Sequence, residues 1–168
     1  GNEPSQYRPM MVRARGAAAE ASSSGVIWPS DKDASGTPQY FTVRDVANFY
    51  DVNPLYREGI DGSGQTIGIM TLANFEESDA YAYWRHLGSR GSHLRITKGM
   101  VDGGTPVAAG VGDSETSLDV EQSGGLAPQA AVRVYIADPT SNNGFLDLFY
   151  AAVSENQADT VSISWGLP

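Results

Sequence analysis

The chain has no cysteine among its 168 residues. That excludes a disulfide framework and thiol chemistry, although it does not by itself fix a compartment. No apolar run approaches the roughly 20 residues that a membrane-spanning helix needs. Positive charge is scarce: 11 Lys and Arg stand against 20 Asp and Glu, a net charge of −9. A surface that negative does not favour nucleic acid or anionic membrane, so neither is expected as a partner. Much of that charge is lost near about pH 4, where carboxylates titrate. Histidine is also rare, with two in the chain. His86 and His93 stand seven apart without a cysteine or acidic partner at metal spacing, and both read as surface or interface residues. No signal peptide is visible, and Gly1 reads as a processed end or an expression scar.

What remains is 40% apolar, enough for one domain with a real core. Residues 1–38 differ from the rest. "RARGAAAEASSSGVIWPSDKDASGTPQ" is rich in Ala, Ser and Gly without a period, the composition of a linker, with Ile27 and Trp28 as local anchors. Order is expected from residue 39 onward. "TVRDVANFYDV" places Val43, Val46, Phe49 and Tyr50 at helical spacing behind Thr42 as N-cap. "DGSGQ" reads as a turn and "TIGIMTL" (66–72) as a buried strand. Residues 77–88 read as a helix stopped by Gly88, residues 93–100 as a strand, and 102–113 as a glycine-rich loop. A helix over 114–125, a strand over 131–137, a helix over 142–156 and a strand over 159–166 follow. Strands alternating with helices predict an α/β fold, a mostly parallel sheet with helices on both faces. "TVSISW" near the end has the pattern of a strand buried on both faces, which normally feeds a covering helix. The sequence is therefore expected to be the N-terminal portion of a larger domain, its remainder on a second chain or lost.

The chemistry concentrates in "GDSETSLDVEQSGGLAP", residues 112–128. Glu115 and Asp119 stand four apart and so share one face of the helix, where two like charges cost a few tenths of a kcal/mol. One reading is local: Asp113 or Ser114 caps the helix, Glu115 suits the dipole and Asp119 is solvated. The other is chemical, because a carboxylate pair in a partly dry site titrates as a coupled unit and can supply a general base. Leu118 and Gly124–Gly125 favour close packing of this helix and hence the second reading. Asp113, Glu115, Asp119 and Glu121 form a local acidic cluster, but the calcium-loop pattern is absent and Glu121 points away, so no metal site is assigned to this chain. Gly62, Gly64 and Gly68 only loosely resemble a dinucleotide fingerprint, with the wrong spacing and before a strand. Ser35-Gly36-Thr37 looks like a nucleophile motif but lies in the linker and reads as inert.

Taken together, several segments resemble one family, the sedolisins or serine-carboxyl peptidases. The likeness covers about residues 39–168: "YFTVRDVANFYDV", "GIDGSGQTIGI", "ETSLDVEQSGGLAPQAAVRVYIA", "GFLDLFYAAVSE" and "TVSISWG" agree in order and character. E-x-x-x-D followed by G-x-L-A-P, with S-I-S-W-G about 40 residues later, is the specific part. The resemblance implies a subtilisin-like fold of which this chain holds the N-terminal portion. It implies that Glu115 is the general base for a nucleophilic serine and that Asp119 orients it. A glutamate base suits acidic pH, where histidine would be protonated. Ser164, Trp165 and Gly166 match the strand that pairs with the substrate backbone, an edge open to β-augmentation. The serine itself, in an S-G-T-S-type motif, the oxyanion aspartate and a calcium site would all belong to a C-terminal remainder, the expected partner alongside a peptide or protein substrate. Some members place a glutamate where Thr71 stands here. Residues 1–38 would be the end of a pro-region or its linker, and the implied location is extracellular. The competing functions are a non-catalytic homologue acting as a binding or chaperone-like module and, more remotely, a flavodoxin-like domain, for which a phosphate loop is lacking.

Overall fold

The computed structural model describes residues 8–9, 41–89, 94–107 and 110–166. The remaining residues, including Ile27, Trp28, Ser35–Thr37 and His93, lie outside this description. Along the described chain run β1 (Arg8–Pro9), α1 (Val43–Phe49), α2 (Asn53–Arg57), β2 (Thr66–Thr71), α3 (Glu77–His86), β3 (Ile96–Met100), α4 (Val111–Leu126), β4 (Ala131–Ile136), α5 (Gly144–Glu155), β5 (Thr160–Ile163) and β6 (Trp165–Gly166).

Thr42 starts α1 as expected. Its hydroxyl accepts from the Asp45 amide at 3.3 Å, and the Asp45 carboxylate accepts from the Thr42 amide at 2.7 Å. This is a reciprocal capping box that satisfies two otherwise orphaned donors. The turn before β2 takes Gly62 and Gly64 at φ +90° and +76°, a backbone that side chains disfavour.

The four main strands form one parallel sheet in the order β3-β4-β2-β5. This is the α/β arrangement the alternating pattern implies. Along β4, Val132, Val134 and Ile136 point to one face and Tyr135 to the other, the two-residue period of a strand. The first face packs with Ile69, Phe75, Ala80, Trp84, Ile96 and Val120, the last contributed by α4. The second packs Met70, Leu72 and Tyr135 against Leu148 and Ala152 of α5. Helices thus cover both faces.

The "TVSISW" segment carries β5, which pairs with β2 on one side and borders the described sheet, with Val161 keeping 50% of its surface. Three expectations are corrected. Phe49 and Tyr50 do not line a buried stripe but stand 73% and 72% exposed, because the inward face of α1 is made by Val43, Asp45 and Ala47. α4 starts at Val111 with Gly110 at its cap, so neither Asp113 nor Ser114 caps it; the Ser114 hydroxyl instead donates to the Gly110 carbonyl at 2.9 Å. Leu118 is 42% exposed and takes no part in the close packing of α4. The short helix α2, begun by Pro54 near its first position, has no counterpart in the sequence reading because five residues are too few to show a period.

Candidate active site

The helix that carries the acidic pair is held tightly because small residues let its neighbours close in. A methyl group on Gly124 would meet the Trp84 ring at 2.5 Å, one on Gly125 would meet Val43 at 2.5 Å, and one on Gly112 would meet Ala73 at 2.8 Å and Trp165 at 3.0 Å. Trp84 donates its indole N–H to the Glu121 carbonyl at 2.9 Å. Arg95 closes the C-terminal end. Its guanidinium donates to the carbonyls of Gly124, Ala127 and Ala130 at 2.8, 3.0 and 3.0 Å and stacks 3.9 Å from the centre of the Trp84 ring. The Gly124 carbonyl is among the acceptors that the end of α4 leaves without partners.

Near the other end of α4 lies a buried hydroxyl cluster beyond the carboxyl ends of β2 and β5, where parallel sheets place their sites. Thr71 and Thr116 are both fully buried, and their hydroxyl oxygens are 2.7 Å apart. Thr71 Oγ1 accepts from the Trp165 indole at 3.0 Å and from the Ala73 amide at 3.2 Å. Thr116 Oγ1 lies 3.0 Å from each of the Ala73 and Gly112 carbonyls. The sequence reading did not include Thr116. One threonine inside a helix carries no periodic signal, and its role depends on a strand 45 residues away.

Glu115 is buried, with 4% of its surface accessible, and Asp119 is half-buried one turn on. Among the described residues no hydrogen bond joins the two carboxylates. Each has one buried oxygen, Glu115 Oε2 and Asp119 Oδ2, without a protein partner. The other Asp119 oxygen, Oδ1, accepts from the Ser164 hydroxyl at 2.9 Å. Burial raises the Glu115 carboxyl above its ordinary range and the Asp119 charge adds to the rise, with the Ser164 hydroxyl opposing both. Burial likewise raises Asp119, again against Ser164. Both carboxyls are therefore raised by burial, and each keeps one oxygen without a protein partner.

Ser164 occupies the break between β5 and β6, its side chain turned to α4. Trp165 is 6% exposed and packs in the core on the α5 side, so its ring is a wall and only its backbone is open to a peptide. That backbone already binds an extended segment: Arg8 and Pro9 of β1 pair antiparallel with Gly166 and Trp165.

The remaining acids of α4 face elsewhere. Glu121 rises to about 7 through burial and then repulsion from Asp79. Asp113 also rises, first through burial, then through Asp79 and Glu76, with Lys98 opposing. His86 is exposed at the end of α3. Among the described residues no group of three or more His, Asp or Glu is arranged to hold a metal ion. Among the same residues no helix is long and apolar enough to cross a membrane.

No family model matches the chain. It is 36% identical over 143 residues to kumamolisin of Bacillus sp. (strain MN-32), a sedolisin. The match takes in 82% of this chain and 25% of that protein, so the chain spans about a quarter of the length of the relative it matches. This likeness supports a sedolisin-like relationship and a peptidase family, and the fold is consistent with an α/β subtilisin-like portion.

Proposed function

We propose that this chain is the part of an acid-acting serine-carboxyl peptidase that supplies the base and one wall of the substrate cleft. The observation that carries the reading is the buried Glu115 and half-buried Asp119 on one face of α4, each with an unpartnered oxygen, beside a strand whose backbone accepts an extended peptide. Glu115 Oε2 is the acceptor for the proton of a serine hydroxyl, and the Asp119 charge raises the proton affinity of Glu115. The substrate lies antiparallel along Trp165–Gly166 in the mode that Arg8–Pro9 illustrates. The nucleophilic serine, the oxyanion donor and any calcium site then come from a C-terminal remainder, which is the partner of this chain, and the enzyme acts outside the cell. Endo- and tripeptidyl-peptidase action are both compatible with this cleft.

The test is Glu115→Gln in the polypeptide that joins this segment to the one bearing the serine. Hydrolysis of a peptide substrate at acidic pH is expected to vanish while the fold, read by circular dichroism, persists. In the unaltered enzyme, turnover is expected to rise as pH climbs through the Glu115 ionisation, since only the carboxylate accepts a proton. Turnover retained in Glu115→Gln, or binding of the peptide without cleavage in the unaltered polypeptide, would give the non-catalytic binding module precedence.

A further inference from the structure

Ser164 stands where the sequence alone places a substrate-binding residue, yet its side chain is committed inward. Its Oγ donates to Asp119 Oδ1 at 2.9 Å, across 45 residues of chain. The segment that presents it is fixed at the next residue, where the Trp165 indole donates to Thr71 Oγ1 at 3.0 Å and Thr71 in turn contacts Thr116 of α4 at 2.7 Å. The segment is thus pinned at two adjacent residues, to α4 through Ser164 and to the end of β2 through Trp165, and the hydroxyl has a defined direction. From this geometry we infer that Ser164 is a positioning residue, whose hydroxyl holds the Asp119 carboxylate on the face it shares with Glu115 and favours its charged form there. The inference rests on the peptidase reading only for its consequence in catalysis; the contact itself is independent of it.

The chemistry is that of a donor to one protonation state. A hydroxyl hydrogen bonded to a carboxylate favours the charged form, while burial favours the neutral one. Asp119 feels both, and Ser164 is what opposes burial. A charged Asp119 beside Glu115 raises the proton affinity of Glu115. Ser164 also lowers Glu115 directly through a side-chain hydrogen bond, so one hydroxyl acts on both members of the pair. The groups around the pair leave this assignment to Ser164. On α4 itself Asp113 and Glu121 interact with Asp79, and Asp113 also with Glu76 and Lys98. The β2 end and the β5–β6 break present Thr71, Ser162, Ser164, Trp165 and Gly166, none of which ionises in this range.

The experiment follows the Asp119 side-chain carboxyl carbon by NMR through a pH titration of this chain, with the resonance assigned by Asp119→Asn. Ser164→Ala is expected to move the Asp119 midpoint up by about one pH unit, the worth of a hydrogen bond to a charged group. Ser164→Thr, which keeps the hydroxyl, is expected to restore it. An unchanged midpoint in a folded Ser164→Ala variant overturns the inference, as does failure of folded Ser164→Thr to restore it. If Ser164→Ala does not fold, Ser164→Cys keeps the volume with a weaker donor and is read in the same way. A moved midpoint together with undiminished hydrolysis in Glu115→Gln would leave the contact standing and remove the peptidase reading. An unmoved midpoint with hydrolysis lost in Glu115→Gln would do the reverse.

Discussion

Glu121→Gln should stabilise the chain at neutral pH and do nothing at acidic pH. The Glu121 carboxyl ionises at about 7 in the folded chain against an ordinary 4.5, through burial and the neighbouring Asp79. Its folded value is raised, so the folded state holds the proton more tightly than the unfolded one. Stability from this group is fully present below about pH 4.5 and is lost as pH rises through about 7. The interval between 4.5 and about 7 corresponds to about 3 kcal/mol at 1.36 kcal/mol per pH unit. Glu121 is only half-buried, and solvent screening reduces this to about 1–2 kcal/mol. Glutamine has the same shape and no charge to desolvate, so the variant keeps that stability at all pH values. In a chain of 168 residues the gain corresponds to a rise in Tm of roughly 3–6 °C at about pH 8. Calorimetry or circular dichroism melts of both proteins at about pH 4 and about pH 8 measure it. Equal melting points at the higher pH, or the same gain at both, would refute the assignment of burial and Asp79 as the cause.

Two packing predictions accompany it. Gly124→Ala should destabilise by about 1–3 kcal/mol because its methyl group meets a Trp84 ring locked by the Glu121 carbonyl and by Arg95, despite the nearly 1 kcal/mol that alanine offers a helix interior; a urea midpoint at or above that of the unaltered chain would contradict it. Thr71→Val should cost about 1–3 kcal/mol because the buried Trp165 indole and Ala73 amide lose their acceptor while the shape is kept; a loss well under that range would mean that water or another group takes the place of the hydroxyl.

Much of this fold can be read from the order of residues. The strands at β2 and β4 and the helices α3 and α5 follow from apolar periodicity, and the start of α1 follows from Thr42 and Asp45 three apart. The depth of each element is less legible. Among the described residues β5 pairs on one side only, with β2, and neighbours, not residue type, decide how deep such a strand lies. The exposed Phe49 and Tyr50 show the same for α1. In the site, the pairing of Glu115 with Asp119 is visible as a four-residue spacing. The Ser164 hydroxyl on Asp119, the Thr71–Thr116 contact and the Arg95 guanidinium across the end of α4 are not, since each joins elements brought together only by the sheet.

Those contacts also decide how the cleft can move. α4 is gripped at Thr116 by the Ala73 carbonyl and at Gly124 by Arg95, eight residues or about 12 Å apart along the axis. A rod clamped at two such points cannot slide along its length, so the axial shifts of about 1–2 Å by which helices commonly rearrange sites are closed to it. The wall that faces it is held as well, by the Ser164 hydroxyl on Asp119 and the Trp165 indole on Thr71, so helix and strand form one braced frame around the acidic pair.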